Sequence, residues 1–427
     1  MKGAKTLCFT ALIALTSSIL HAQVAPKTVS LSDTTGIREA SWTGDQDKLA
    51  YVASTMSGGP DVLAKALYQR SLYKLDESSA TVAACGAIPE LGKSAANSQC
   101  ALILASNKLL ANDVSGWAKV MDANKSIAYP KFAQMLHVQT SDLHIPEYEA
   151  VADFKPYFDF PAVGVTRDTD DFSMPLDWRS FKGDDHVGVF TVPVNINGKS
   201  IRMVLDTGAS VVTFSKEDAS LVGISNIHNG WLKVNEGGRS EIGVAKELSI
   251  GHVRITNLPV LISSTPLKLS VIGLSALQYL GAIEIEGNML HSSANGFGTA
   301  CKAPMDMASW IDGGQNMFVV HGTVEGKNFR FALDSGDAWA ISRNYYGTPP
   351  SNVTTRPLSM SVGGVAQNLY ISDDQATMQI GDAPSENQSY VIRYKTQHSR
   401  FRYNIGADYV RQHRLVIDFK NSVLCLS

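Results

Sequence analysis

The sequence predicts a mainly β chain of two similar lobes behind an α-helical N-terminal region, and three observations carry that prediction. Before about residue 130 the apolar residues recur at helical spacing, whereas from Val187 onward they alternate with polar neighbours at the strand period of two. The β part holds the same short pattern twice: Leu205-Asp206-Thr207-Gly208-Ala209-Ser210 is answered by Leu333-Asp334-Ser335-Gly336, each entered from an alternating strand. The segments around the two triplets also keep step with one another. A single triplet of this kind arises by chance in roughly one chain in five of this length, so the weight lies on the surroundings.

At 427 residues the chain is long enough for two or three cores. Met1-Lys2 and Lys5 give a positive start, Leu7 to Leu20 an apolar run, and Leu20-His21-Ala22 a small-residue cleavage site before Gln23. That is the pattern of a secretory signal peptide over 1–22, and it predicts an exported protein, periplasmic or secreted. The run is shorter than the ~20 apolar residues of a membrane span, and no Cys stands at the cleavage point for a lipid anchor. The remaining boundaries predicted are a helical domain over 23–130, a connecting segment over 131–185, and two lobes over 186–295 and 296–427.

In the helical region Asp61 follows Pro60 as a helix start, and Val62, Leu63, Ala66 and Leu67 line one face. Leu102, Ile103, Ala105, Leu109 and Leu110 repeat the pattern, which predicts a hairpin of two amphipathic helices. Three roles stay open for it: a packing domain, a pro-segment over a cleft, or a degenerate repeat that recruits a partner. In the connecting segment Pro130, Pro146, Pro156, Pro161 and Pro175 argue against any long helix. Asp168, Asp170 and Asp171 lack the Gly and the distant Glu of a calcium loop, and Asp184-Asp185-His186 reads as a charged turn.

Removal of the leader leaves Cys85, Cys100, Cys301 and Cys425, an even number for an oxidising compartment. Cys85 with Cys100, sharing one helical segment, and Cys301 with Cys425, tying the last lobe to the chain end, are the favoured pairs. No CxxC or HxxxH spacing supports a zinc site, and the sequence predicts neither a metal nor another cofactor. The net charge of −3, with both signs dispersed, offers no basic stripe for nucleic acid. There is no HExxH, GxSxG or GxxxxGKS/T motif, and His228, His252, His321 and His413 lack partners at informative spacing.

In the first lobe Val192, Val194 and Ile196 alternate up to an Asn197-Gly198 hairpin turn, and Ile201, Met203 and Leu205 alternate on to Asp206. In the second, the Glu325-Gly326 turn leads through Phe329, Phe331 and Leu333 to Asp334. Gly198 lies eight residues before Asp206 and Gly326 eight before Asp334, while Lys199 and Arg202 are matched by Lys327 and Arg330. Downstream, Gly237-Gly238 and Gly363-Gly364 follow their triplets by about thirty residues. Val271-Ile272-Gly273 and Asn404-Ile405-Gly406 come next, each before a short helix and a strand. The chain therefore carries an internal duplication of about a hundred residues.

These residues carry a resemblance to the aspartic proteases, most closely the retropepsin-like bacterial group. Asp206-Thr207-Gly208-Ala209-Ser210 with Ile272-Gly273, and Asp334-Ser335-Gly336 with Ile405-Gly406-Ala407-Asp408, look like that family's motif pair, and the likeness covers roughly residues 187 to 427. It implies a two-lobed β-barrel catalytic region. Two unequal copies in one chain resemble the pepsin arrangement and imply a catalytic monomer acting on an extended peptide or protein substrate.

The resemblance implies that Asp206 and Asp334 face each other and share one proton, since two like charges a few ångströms apart resist joint ionisation, the standard case for this family. The ionised member would activate a water against the peptide carbonyl, and the protonated member would stabilise the developing oxyanion. Thr207 and Ser335 resemble a crossed hydroxyl network, Gly208 and Gly336 positions where backbone amides approach the carboxylates, and Gly273 and Gly406 small residues behind the catalytic loops. The hairpin from Trp231 to Gly243, tipped at Gly237-Gly238, is the candidate flap over the substrate.

Asp337 departs from the Ala, Thr or Ser usual in the family. Together with Ala209 in the first motif, it predicts a less acidic optimum than pepsin's through a raised dyad pKa; a contact to a basic substrate side chain, and a side chain that points away and does neither, are the other readings open for Asp337. The alternative to an aspartic endopeptidase is a catalytically inactive protein that keeps the fold and binds peptides or partners.

Overall fold

A computed structural model describes residues 27–28, 36–57, 59–87, 95–135, 143–144, 153–181, 184–233, 239–263, 269–298, 302–311, 313, 315–362, 365–395 and 400–427. The fold is mainly β, with a helical N-terminal region. In the first lobe the strands are Asp184–Ile196, Lys199–Leu205, Thr213–Phe214, Asn226–Lys233, Arg239–Ile250, Val253–Ser263 and Val271–Ile272. Their counterparts in the second lobe are Asn316–Val324, Lys327–Leu333, Ile341–Tyr346, Arg356–Val362, Val365–Ile380, Glu386–Lys395 and Tyr403–Ile405. The duplication extends to strand pairing. Val271 and Ile272 run parallel to Val204 and Leu205, as Asn404 and Ile405 do to Ala332 and Leu333. Thr213 and Phe214 run parallel to Leu261 and Ile262, as Ser342 and Arg343 do to Val391 and Ile392.

The hairpins that open each copy form because their turns accept left-handed backbone. Asn197 (φ 50) and Gly198 (φ 80) make one turn, and Glu325 (φ 49) and Gly326 (φ 70) the other. Each non-glycine residue is held there: Asn197 Oδ1 accepts from the Glu247 amide at 3.1 Å, and Glu325 Oε1 from the Thr377 amide at 2.7 Å. The period-two side chains turn inward as their alternation requires, Val192, Val194, Ile196, Met203 and Leu205 in one lobe and Phe331 and Leu333 in the other.

A third sheet of five strands joins the lobes. Ala282–Glu286 of the first lobe pairs antiparallel with Leu415–Asp418 of the second, Ile283 opposite Ile417. Met289–Ser293 and Val423–Leu426 flank that pair. Each lobe thus sends the strand after its glycine-led helix, Leu274–Leu277 or Ala407–Gln412, into a shared floor.

Residues 153–181, expected as a connector, belong to the β body instead. Gly164–Arg167 extends the first-lobe sheet, Asp171–Pro175 edges the shared sheet, and Asp177–Phe181 pairs with the strand that begins at Asp184. Short strands between prolines satisfy their amides on existing sheet edges, which no local periodicity announces. Asp168, Asp170 and Asp171 are exposed, and Asp184 to His186 start a strand rather than forming a turn.

The helical region is larger than a hairpin of two. Ile37–Thr43, Gln46–Thr55, Pro60–Ser71, Leu75–Ala83, Ala95–Leu110 and Val114–Met135 are helices, the last running through Pro130 and past the expected boundary. Cys85 and Cys100 form a disulfide with Cα atoms 6.5 Å apart. Cys425 is also disulfide-bonded, while Cys301 lies outside the described residues. Among the described residues no helix is long and apolar enough to cross a membrane.

The helices share a core with the β body: Leu63, Leu67, Leu102, Ile103 and Trp117 cluster with Ile242, Leu261 and Ile311. Arg70 is fully buried at this junction and donates to the carbonyls of Trp310 at 2.9 Å and Ile311 at 3.1 Å. A buried guanidinium needs such acceptors to offset its desolvation. Trp42 stacks on Trp310 with centroids 4.2 Å apart, and Asp45 pairs with Arg330 at 2.9 Å.

Candidate active site

Each aspartate loop opens where a buried strand ends. Asp206 follows Leu205 and its amide donates to the Ile272 carbonyl at 3.0 Å; Asp334 follows Leu333 and its amide donates to Ile405 at 2.8 Å. The neighbouring parallel strand therefore fixes the backbone of both aspartates, while their side chains turn to the junction of the lobes. There the two carboxyl groups come close together, flanking the one point where a Cβ on Gly208 would lie, 2.5 Å from Asp334 Oδ1 and 3.1 Å from Asp206 Oδ1.

The loops lock through side chains that the sequence singles out. Ser335 Oγ accepts from the Thr207 amide at 2.9 Å and donates to the Leu205 carbonyl at 2.9 Å. Thr207 Oγ1 accepts from the Ser335 amide at 3.0 Å and donates to Leu333 at 3.1 Å. Both side chains are fully buried, so this crossed set of four bonds sets the separation of the aspartates without water. Two further ties cross between the lobes: Asn316 N donates to Ser210 Oγ at 2.9 Å, and Gly188 N to the Ala338 carbonyl at 2.9 Å.

Gly208 and Gly336 are required by close approach rather than by φ. A Cβ on Gly208 would lie 2.5 Å from Asp334 Oδ1, and one on Gly336 would collide with the Asp206 carboxylate. Their amides donate to the carboxylate of their own loop, Gly208 to Asp206 Oδ1 at 2.7 Å and Gly336 to Asp334 Oδ1 at 3.2 Å. Gly273 and Gly406 sit behind the loops: a Cβ on Gly273 would come within 2.5 Å of the Ala209 carbonyl, and one on Gly406 within 2.5 Å of the Asp337 carbonyl. The short helices that follow return an amide to those same carbonyls, Leu274 to Ala209 and Ala407 to Asp337, each at 2.8 Å.

Burial pushes both carboxyl pKa values up. Asp206 accepts from the Gly208 amide, which favours its charged form. Asp334 instead faces the charges of Asp206 and Asp337, partly offset by Arg393. The surroundings of the two carboxyl groups are thus unequal.

Asp337 does not reach into the cleft, which corrects the expectation of a substrate contact. Its side chain is 1% exposed, ion-paired with Arg393 and bonded by Ser342 Oγ at 2.7 Å. Burial inside the second lobe leaves it only its field with which to act on the dyad. Nothing in the sequence joined Asp337 to Arg393, which lies in the distant strand Glu386–Lys395; the one signal was a charged residue on the inward face of an alternating strand.

The candidate flap strands Asn226–Lys233 and Arg239–Ile250 pair as a hairpin, with Trp231 opposite Glu241. Its tip, including Gly237 and Gly238, lies outside the described residues. At its root Ile242 and Val244 pack against the helical region. Among the described residues no group of three or more His, Cys, Asp or Glu is placed to hold a metal ion.

Residues 192–279 match the family model described as "gag-polyprotein putative aspartyl protease". Solved structures that resemble the chain include a retropepsin-like aspartic protease from Rickettsia conorii, with 20% identity, a TM-score of 0.24, and coverage of 31% of this chain and 91% of that one. Another is basic 7S globulin from soybean, with 8% identity, a TM-score of 0.36, and coverage of 60% of this chain and 95% of that one. No curated protein matches the chain in sequence. The stretch that matches the aspartyl protease model, residues 192–279, holds Asp206 and the strands that position it.

Proposed function

We propose that the chain is an exported aspartic endopeptidase that hydrolyses peptide bonds with a water activated between Asp206 and Asp334. One observation carries this reading: two Asp-Thr/Ser-Gly loops from opposite lobes bring their carboxyl groups together and are fixed by four crossed hydroxyl bonds. Both loops come from one chain, which supports a catalytic monomer. Asp206, supplied with the Gly208 amide, acts as the base toward water. Asp334 keeps the proton, donates it to the carbonyl oxygen as negative charge develops, and the pair returns a proton to the leaving amine. The disulfide of Cys85 with Cys100 and the apolar leader support export. The test is cleavage of an unfolded protein by the mature chain. Asp206→Asn and Asp334→Asn are each expected to abolish it; undiminished cleavage by both would end the assignment, and a folded parent that cleaves nothing would favour the inactive peptide-binding alternative.

A further inference from the structure

The two lobes agree strand for strand, yet one buried feature beside the dyad occurs in only one of them. Ala209 and Asp337 occupy equivalent places, since each carbonyl accepts from the first amide after the glycine behind the loop, Leu274 or Ala407, at 2.8 Å. Thr213 and Ser342 are likewise equivalent through their pairing with Val271 and Asn404, and they lie beside Leu261 and Val391 in the next strand. Two residues beyond these stand Ser263 in the first lobe and Arg393 in the second. The first lobe thus has Ala209 and Ser263 where the second has Asp337 and Arg393. The pair is nearly dry, with side chains 1% and 4% exposed. Ser342 Oγ bonds Asp337 Oδ2 at 2.7 Å, and the guanidinium lies 4.9 Å from the Trp339 ring centre.

We propose, on the reading of the dyad given above, that Arg393 is a positioning residue: held against Asp337, it screens that carboxylate from Asp334 and so sets where the dyad keeps its shared proton. The charged groups that bear on Asp334 are Asp206 from the opposite loop, Asp337 from its own loop and Arg393 from the strand Glu386–Lys395. Burial makes the Asp337–Arg393 charges strong toward one another and toward Asp334, because little water screens them. With one member removed, the survivor acts alone. A lone carboxylate favours the protonated dyad, and a lone guanidinium the ionised one.

The test follows the pH at which the dyad loses its shared proton, read two ways on the full mature chain: as the alkaline limb of the pH–rate profile and as the carboxyl-carbon NMR titration of Asp334. Asp337→Asn is expected to lower that pH by about one unit and Arg393→Met to raise it by a similar amount. Asp337→Asn with Arg393→Met removes both charges and should return it near the parent value, while Arg393→Lys should hold it there. Removing both members of a buried pair is tolerated better than removing one, so if Arg393→Met does not fold, Asp337→Asn and the double variant still decide the question. Activity that falls while the titration stays in place, or single variants that move it the same way, would overturn the proposal. The NMR arm is independent of turnover: a parent that cleaves no peptide but shows the opposed shifts would refute the protease reading and leave the electrostatic role standing.

Discussion

Thr207 and Ser335 work as acceptor and donor at once, and that double use makes them hard to replace. Thr207→Val keeps shape but removes the oxygen that takes the Ser335 amide and donates to Leu333, leaving both groups buried without those partners. Each unsatisfied buried group is worth about 1–3 kcal/mol, so the two left by Thr207→Val should lower stability by about 2–6 kcal/mol in chemical denaturation. Peptide cleavage should fall by more than tenfold, because the spacing of the aspartates is no longer fixed. A stability within error of the parent would show that the four bonds do not hold the loops together. Such residues were legible through the repeated Asp-Thr/Ser-Gly motif and the family it resembles, and the structure gives the reason for them: only Gly fits against a facing carboxylate, and a hydroxyl accepts and donates at one atom. Arg393 was not legible, because its partner Asp337 is a neighbour only in the folded sheet.

At the scale of elements, the shared five-stranded sheet makes the two lobes one cooperative body. Ile283 and Ile417 face each other across the seam, both almost completely buried. Ile417→Ala should cost about 2–5 kcal/mol, the range for truncating a packed aliphatic side chain. Because the strand belongs to both lobes' floor, the loss should lower one common unfolding transition; two separated transitions would mean that the lobes fold alone. The strands leading to each aspartate were readable because alternation and hairpin turns are local signals. Those at residues 164–181 were not, since a strand added to an existing edge borrows its pattern from partners far along the chain, Val253 to Thr256 and Met289 to Ser293.

For the whole molecule, the question is whether the helical region is a detachable cover or part of the body. Its contacts favour the second. Gln278 Nε2 donates to the Leu110 carbonyl at 2.9 Å and Asn112 Nδ2 to the Ser275 carbonyl at 2.8 Å, so the helices grip the segment that follows Gly273 behind the first aspartate loop. Arg70, buried against Trp310 and Ile311, would lose those acceptors if the region left. The flap root at Ile242 and Val244 and the core residue Leu261 would lose the apolar side chains packed against them. A pro-segment released on activation would have to leave those groups without partners. The helical region is therefore expected to stay with the β body: if the chain is exported as proposed, mass spectrometry of it before and after acidification should find one polypeptide that retains residues 36–135. A fully active species that begins near residue 153 would instead make the helices a cover, and would require the surface around Ile242, Leu261 and Ile311 to repack once they are gone.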